Sequence, residues 1–287
     1  MIEQALIDQF RRDGFVAVRG LLRTDEIASF GLAVDRAVAT RKARDTRTLE
    51  EKTPYEQSFI QCQSIWEDFP DTRGLTFHQK IGAVAAQLLG AERIRLWHDQ
   101  ALYKEAGGRE TEAHQDHGYW PIAEADAITA WIPLMDVDHE TGCMGYVAGT
   151  HTGDCEFVDI FGTPGAGKAF EQRYGAPVYV PAKAGDVLFH HGHTVHMAKP
   201  NRSAATRRVH TAIYFADGCT RSSDKPHPSV DRDRIVVGAP IGGGATPVVW
   251  PLADGRLPEP QPWPDSKSRF VQRARELGVI PGAGPTT

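Results

Sequence analysis

Up to Gly90, apolar residues recur at helical spacing. Ile2, Leu6, Ile7 and Phe10 share one face of "MIEQALIDQFRRDGF", and Gly14 closes the helix this pattern predicts. "FVAVRGLL" follows as a strand. Thr24 is the expected N-cap of a second helix, with Asp25 and Glu26 in its first turn and Ile27, Phe30, Val34 and Val38 along its apolar stripe. "LTFHQKIGAVAAQLLG" reads as a third helix that Gly90 ends. Between the second and third helices, Arg41 to Lys52, "RKARDTRTLEEK", is a charge run. It reads as a solvated helix end, or more sharply as a lid that meets an anionic or CoA-linked substrate.

After Gly90 the period changes. "RIRLWHDQALYK", "AITAWIPLMDV", "MGYVAG", "PVYVPA", "DVLFHH", "HTVHMA" and "RRVHTAIYFA" are short strand candidates separated by Gly, Pro, Asp and Asn turns. Many short strands at this spacing argue for a mainly β fold with flanking helices, a sandwich or jelly roll rather than a parallel sheet. Residues 238–264 read as a Gly- and Pro-rich surface passage, and "SKSRFVQRARELG" as a terminal helix. The expected organisation is one domain over residues 1–287, with a β core over about 93–217 and an N-terminal helical buttress.

Composition narrows the partners. A net charge of -5 argues against nucleic acid or an anionic membrane surface, which need a basic surplus. The four cysteines, Cys62, Cys143, Cys155 and Cys219, form no C-x-x-C pair, so neither a disulfide framework nor a cysteine zinc site is indicated. No apolar run reaches membrane-spanning length, and the N-terminus lacks a signal-peptide core. The expected compartment is the cytoplasm. The closing "PGAGPTT" is not a peroxisomal tripeptide.

The chemistry gathers in two segments. "EAHQDHGYW" holds His114-Gln115-Asp116. On extended backbone, residues two apart point the same way, so a nitrogen and an oxygen can face one ion. Two imidazoles and one carboxylate on one face are the donor set of a mononuclear non-haem Fe(II) centre. With 12 histidines in the chain, one such H-x-D triplet is also expected by chance, as a hydrogen-bonded pair in a turn. A third donor must come from a later strand. "HHGHTVHMAKPNRSAATRR" supplies His190, His191, His193 and His196, and spacing does not choose among them. Arg207 and Arg208 open the next strand. Adjacent residues face opposite sides, so one points inward, where a guanidinium needs an anion such as a carboxylate.

The chain resembles the phytanoyl-CoA dioxygenase family over about residues 8–217. The resemblance is carried by "RRDGFVAVRGLL", "HQDHGYWP", "ITAWIPLMDVDHETGCMGYVAGTH" and "AGDVLFHHGHTVHMAKPNRSAATRR". It implies a double-stranded β-helix, the cupin-like jelly roll, holding Fe(II) and using 2-oxoglutarate and O2. It implies His114, Asp116 and His196 as metal ligands and catalytic centre, and Arg207 as the partner of 2-oxoglutarate, with Arg208 the runner-up. It also places Gln100 and Trp131 on the 2-oxoglutarate pocket. The family often has a hydroxyl residue two positions after the distal histidine, where this chain has Ala198. Thr129, Tyr103 and Thr211 are candidate replacements, and Gly142 has a turn role.

The expected function is therefore hydroxylation of an unactivated C–H in a small molecule of the lipid, amino-acid-derived or natural-product kind, with release of succinate and CO2. Asp116 stands where halogenating relatives have a small residue, which favours hydroxylation. His117, Tyr119 and Trp120 are expected on the substrate side. Two other readings use the same residues. One is a metal-dependent cupin-type hydrolase or isomerase, and the other a non-catalytic 2-oxoglutarate or metal sensor.

Overall fold

A computed structural model describes residues 2–163, 165–263 and 269–282. In chain order the elements are α1 (Gln4–Asp13), β1 (Phe15–Val18), α2 (Thr24–Lys42), β2 (Ile60–Gln63), α3 (Ile65–Asp68), α4 (Pro70–Thr76) and α5 (Gln79–Leu89). Then come β3 (Ile94–Tyr103), β4 (Thr111–His114), β5 (Ala127–Pro133), β6 (Met144–Tyr146), α6 (Ala166–Glu171) and β7 (Val178–Val180). β8 (Val187–His191), β9 (His196–Ala198), β10 (Val209–Ala216), α7 (Pro228–Asp231), β11 (Val248–Trp250) and α8 (Arg269–Glu276) complete the chain.

The strands form two antiparallel sheets. The larger runs β1-β8-β5-β10-β3-β11, with β2 also on β3, and the smaller runs β4-β9-β6-β7. From β3 to β10 the chain switches sheet at every step except β6 to β7. That winding is the double-stranded β-helix, a jelly roll with helices on one side.

The strand period explains the layering. Ala101 and Tyr103 of β3, Ile128, Ala130 and Ile132 of β5, and Ala212 and Tyr214 of β10 face outward. They share one core with Phe10, Ile27, Val34, Val38, Leu75, Ile81 and Val84 of the helices. The opposite face looks toward the small sheet. There Phe15, Trp131, Met144, Tyr146, Leu188 and Ala198 plug one end, with Phe15 stacked on Tyr146 at 4.6 Å. The rest of the space between the sheets is a cavity of about 170 Å³.

Several expectations are corrected in detail. The helix read through residues 75–90 is two helices, because buried Phe77 packs edge-on against Trp66 at 5.2 Å and breaks the run before His78. Arg23, not Thr24, is the N-cap of α2; its backbone N–H donates to Glu26 at 2.9 Å. β1 stops at Val18. The passage 238–264 contains β11, whose Val249 is fully buried in the helix-side core. The terminal helix begins at Arg269 among the described residues. Residues 266–268 of that expected helix, Pro264 of the passage and residues 283–287 lie outside them. Gly14 ends α1 at φ 80°, where a Cβ would meet His151 and Thr194 at 2.5–2.6 Å. No helix among the described residues is long and apolar enough to cross a membrane.

Candidate metal and co-substrate site

His114 ends β4 and faces His196, the first residue of β9, in the sheet register. After His114 the chain turns into a short 3-10 helix, Asp116–Tyr119. Asp116 therefore reaches the site from a turn, not from the continued strand that the spacing argument assumed. The turn carries its carboxylate across to the large sheet. There Oδ2 accepts from Thr129 Oγ1 at 2.8 Å and from His190 Nε2 at 3.1 Å. Thr129 and His190 are register partners on β5 and β8.

The remaining oxygen, Oδ1, lies 3.6 Å from both His114 Nε2 and His196 Nε2. The ligand atoms of the trio lie within 4.8 Å of one another. His114 Nδ1 is 2.8 Å from the Glu112 carbonyl, and His196 Nδ1 is 2.9 Å from the Thr194 carbonyl. A carbonyl only accepts, so each Nδ1 carries the proton and each Nε2 presents a lone pair. Burial, reinforced by His114 and His190, holds the His196 pKa well below its ordinary value and keeps the ring neutral. Burial alone would raise Asp116, but His196, His114 and His190 together hold its carboxyl well below the usual range. Three acceptors thus converge with no donor among them. That arrangement is repulsive unless a cation sits between them, and two imidazoles with a carboxylate suit iron.

The large sheet presents an ordered grid to this centre. One row across it runs His190, Thr129, Ile213, His98, and the next runs Leu188, Trp131, Thr211, Gln100, Gln63. Gln100 and Trp131 both line the cavity, and Gln100 Oε1 accepts from Gln61 Nε2 at 2.7 Å. Arg207, just before β10, is 1% exposed and lines the same cavity. Its Nη1 donates to the Gly142 carbonyl at 2.7 Å, its guanidinium lies 5.6 Å from the Trp131 ring, and its Nε is buried without a partner. Among the described residues no carboxylate pairs with it. Burial lowers its pKa to about 10. Gly142 has φ 93°, and a Cβ there would meet the Lys199 carbonyl at 2.7 Å, so the glycine is what lets this carbonyl stand under Arg207. Arg208 points the other way, onto Asp35 at 2.6 Å.

Ala198 does line the cavity. Of the three hydroxyls offered in its stead, Thr211 lines the cavity and Thr129 is engaged by Asp116. Tyr103 is excluded, because it lies on the helix-side face and donates to Asp35 at 2.6 Å. A fourth was missed. Thr111 lines the cavity directly opposite Ala198 in the register, and its Oγ1 accepts from the buried Lys104 Nζ at 3.3 Å. Burial and the neighbouring Arg207 hold the Lys104 pKa well below its usual value. Tyr119 and Trp120 line the cavity, whereas His117 turns away and hydrogen-bonds the Ile122 carbonyl at 2.9 Å. His191 and His193 also lie off the site, packed on one another and on His117 and His151.

The sequence profile of the phytanoyl-CoA dioxygenase (PhyH) family matches residues 10–209. The chain belongs to that family. It is 24% identical over 227 residues to the peroxisomal phytanoyl-CoA dioxygenase of Bos taurus, across 72% of this chain and 66% of the bovine protein. The chain spans between half and two thirds of the length of the first curated PhyH-like relatives it matches. Solved structures extend the likeness over nearly whole chains. The non-heme alpha ketoglutarate dependent carbocyclase SnoK of nogalamycin biosynthesis superposes with a TM-score of 0.73 at 27% identity, over 86% of this chain and 96% of SnoK. The epimerase SnoN, in complex with Fe3+, alpha ketoglutarate and nogalamycin RO, gives 0.68 at 28%, over 86% and 98%. Alpha ketoglutarate is 2-oxoglutarate. The PhyH-family fold, the acceptor trio and the unpaired arginine fit iron and 2-oxoglutarate as cofactor and co-substrate.

Proposed function

We propose that this PhyH-family protein is an Fe(II)- and 2-oxoglutarate-dependent dioxygenase that hydroxylates a C–H bond of a small, largely apolar, multi-ring molecule. His114, Asp116 and His196 would hold the iron. The observation that carries the reading is Arg207, a fully buried guanidinium that no carboxylate among the described residues pairs, in the same cavity as three converging metal-ligand atoms. Iron with 2-oxoglutarate supplies the oxidant, as O2 converts 2-oxoglutarate to succinate and CO2 and leaves one oxygen atom for the substrate.

The chain's own groups do the rest. The Nδ1 bonds to the Glu112 and Thr194 carbonyls aim both imidazoles at the centre. Thr129 and His190 fix which carboxylate oxygen of Asp116 is offered. Arg207 takes the far carboxylate of 2-oxoglutarate, with the Thr111 and Thr211 hydroxyls nearby in the place that Ala198 cannot fill. Tyr55, Phe59, Tyr119, Trp120 and Phe161 wall the remainder and exclude water. Beyond them lies a second cavity of about 490 Å³ that shares Tyr55, Phe59, Gln61, Gln63, Phe161 and His227 as walls. This room, together with the carbocyclase SnoK and the nogalamycin RO complex of the epimerase SnoN, supports a multi-ring substrate.

Arg41 and Arg47, cations of the charge run, are engaged internally. Arg41 meets the Gln63 and Ser64 carbonyls and Asp68, and Arg47 meets Asp45 and Glu56. Lys42 donates to the Leu277 carbonyl at 2.5 Å and Arg44 is exposed, so of Arg41, Lys42 and Arg44 only Arg44 stays open to an anionic or CoA-linked substrate. The test is anaerobic addition of Fe(II) and 2-oxoglutarate, which should give a weak visible charge-transfer band. His196→Ala should abolish it and His193→Ala should not. A band that survives His196→Ala sinks the ligand set. Product mass from a panel of multi-ring compounds then separates a gain of one oxygen from the unchanged mass of an epimerisation and the hydrogen loss of a ring closure.

A further inference from the structure

Two histidines on the cavity wall take no part in the reading above. His98 is on β3 in the same row as Thr129 and His190, separated from Thr129 by Ile213 of β10. Two strand spacings put it about 10 Å from the row position that orients Asp116. It is six residues along β10 from Arg207, about 20 Å by strand rise, so it lies toward the opposite end of the sheet face. His98 is 7% exposed, lines the inner cavity, and keeps a buried Nδ1 without a partner.

His227 comes from the loop before α7 and lines both cavities. Its Nδ1 accepts from the Ser229 N–H at 3.2 Å, so the neutral ring carries its proton on Nε2. The ring stacks on Trp97 at 4.4 Å and lies 6.0 Å from His98 at an interplanar angle of 22°. Burial lowers the His98 pKa to about 4 and holds His227 well below its usual value, so both are neutral near pH 7. Neither forms an ion pair among the described residues.

A neutral imidazole offers one donor and one acceptor and no net charge. Two of them, set in a wall of Tyr55, Phe59, Trp120 and Phe161, suit an uncharged oxygen on an apolar body. Around the outer cavity Lys52 is paired to Glu105, Arg47 to Asp45 and Glu56, and Arg273 to Glu276, and Lys42 donates to the Leu277 carbonyl at 2.5 Å. The cations that act on His227 are Arg221, which is paired to Asp231, and Lys225, whose Nζ lies 4.8 Å from the Phe157 ring. We infer that His98 and His227 form a specificity subsite for a hydroxyl or carbonyl oxygen of an uncharged multi-ring substrate. The subsite stands two strands, about 10 Å along the sheet row, from Thr129, which holds the Asp116 carboxylate. The inference rests on the proposed function, because it takes the cavity to be the substrate site of an oxygenase.

The test uses the full chain with Fe(II) and 2-oxoglutarate under anaerobic conditions. Equilibrium binding is measured for 2-naphthol, naphthalene and 2-naphthoate, and the visible charge-transfer band is recorded in the same samples. The wild type should prefer 2-naphthol to naphthalene by about tenfold, the worth of one or two buried hydrogen bonds. 2-Naphthoate should bind more weakly than 2-naphthol. His98→Ala and His227→Ala should each bring the preference below about threefold while naphthalene binding and the band persist. His227→Gln, which retains an N–H donor, should recover part of it. No preference in the wild type, an unchanged preference in both alanine variants, or tighter binding of 2-naphthoate each overturns the subsite. An absent band with the preference intact overturns the oxygenase reading and leaves the oxygen-recognising subsite standing.

Discussion

Two buried arginines of this chain are built in opposite ways. The Arg232 side chain, 6% exposed, meets Glu67 through two parallel bonds of 2.8 Å, and its Nη2 also donates to the Gln261 carbonyl. Trp263 Nε1 donates to the same carboxylate at 2.9 Å. Arg207, at 1% exposed, has a single carbonyl, a ring face and a cavity. Interior charge is tolerated when it is paired and hydrogen-bonded. Arg232 meets that condition within the fold, so it closes structure. On the proposed function Arg207 meets it with the carboxylate of 2-oxoglutarate. Burial alone would have ranked the two together; what distinguishes them is that Arg232 has a carboxylate within the fold and Arg207 faces a cavity instead.

The contrast breaks most visibly at Arg207. Arg207→Met should weaken 2-oxoglutarate binding by about a hundredfold or more, because it removes one member of a buried charge-assisted pair. The same change should leave the stability of the ligand-free protein unchanged or raise it, since an unpaired interior charge is replaced by an apolar chain. Calorimetric titration and chemical denaturation of one preparation read both quantities. A large loss of ligand-free stability would mean that Arg207 is structural. Glu67→Ala is the mirror experiment. It leaves Arg232 buried and unpaired and should cost about 3 to 5 kcal/mol of stability. Affinity for 2-oxoglutarate should be preserved in the folded fraction, and a melting temperature close to wild type would undo the comparison.

A smaller effect is expected one bond out from the metal ligands. His190→Ala removes the 3.1 Å donor to Asp116 but leaves Thr129 in place. Groups that orient metal ligands typically contribute about ten- to a hundredfold to metal affinity. The lower part of that range is expected here, read by anaerobic competition titration of Fe(II). No change would assign the orientation of Asp116 to Thr129 alone.

The sequence was most readable where one physical rule acts alone. Turn-bounded, largely apolar runs mark β3, β5 and β10 well, because each is buried on both faces of the large sheet. Gly14 and Gly90 end their helices in the left-handed region that glycine favours. Legibility failed where two rules compete. Between Thr111 and His114 the pairing with β9 shifts, so a two-residue period cannot show that Thr111 faces the cavity. Lys104 looks like an ordinary surface cation, and only the fold reveals it at zero exposure between Thr111 and Arg207. β2 is four residues of mixed polarity, "IQCQ", because it lays glutamines on the cavity and Cys62 in the core. The grouping of His114, Asp116 and His196 depends on the crossing from the small sheet to the large one. No local pattern displays that crossing.

The smallest effect belongs to Arg47, which sharpens the comparison from the exposed side. Its side chain is 26% exposed and pairs with Asp45 at 2.8 Å and Glu56 at 2.7 Å. Partly solvated pairs contribute little, so Arg47→Ala should cost about 1 kcal/mol. The pH dependence has a definite sign. The hydrogen bond from Arg47 lowers the Asp45 pKa to about 2. Burial pushes Glu56 upward, but the bonds from Arg47 and Thr53 outweigh it and bring it to about 2 as well. Both folded values lie below the unfolded ones. Their stabilisation is therefore complete above about pH 4 and lost as the pH falls toward about 2. Denaturation curves of wild type and Arg47→Ala should differ by a constant amount from pH 5 to 8 and converge only in acid, with 2-oxoglutarate affinity unaffected throughout. A fall in that affinity would show that the charge-rich segment reaches the co-substrate after all. The line drawn between Arg47, paired within the fold, and Arg207, facing the cavity, would then be in the wrong place.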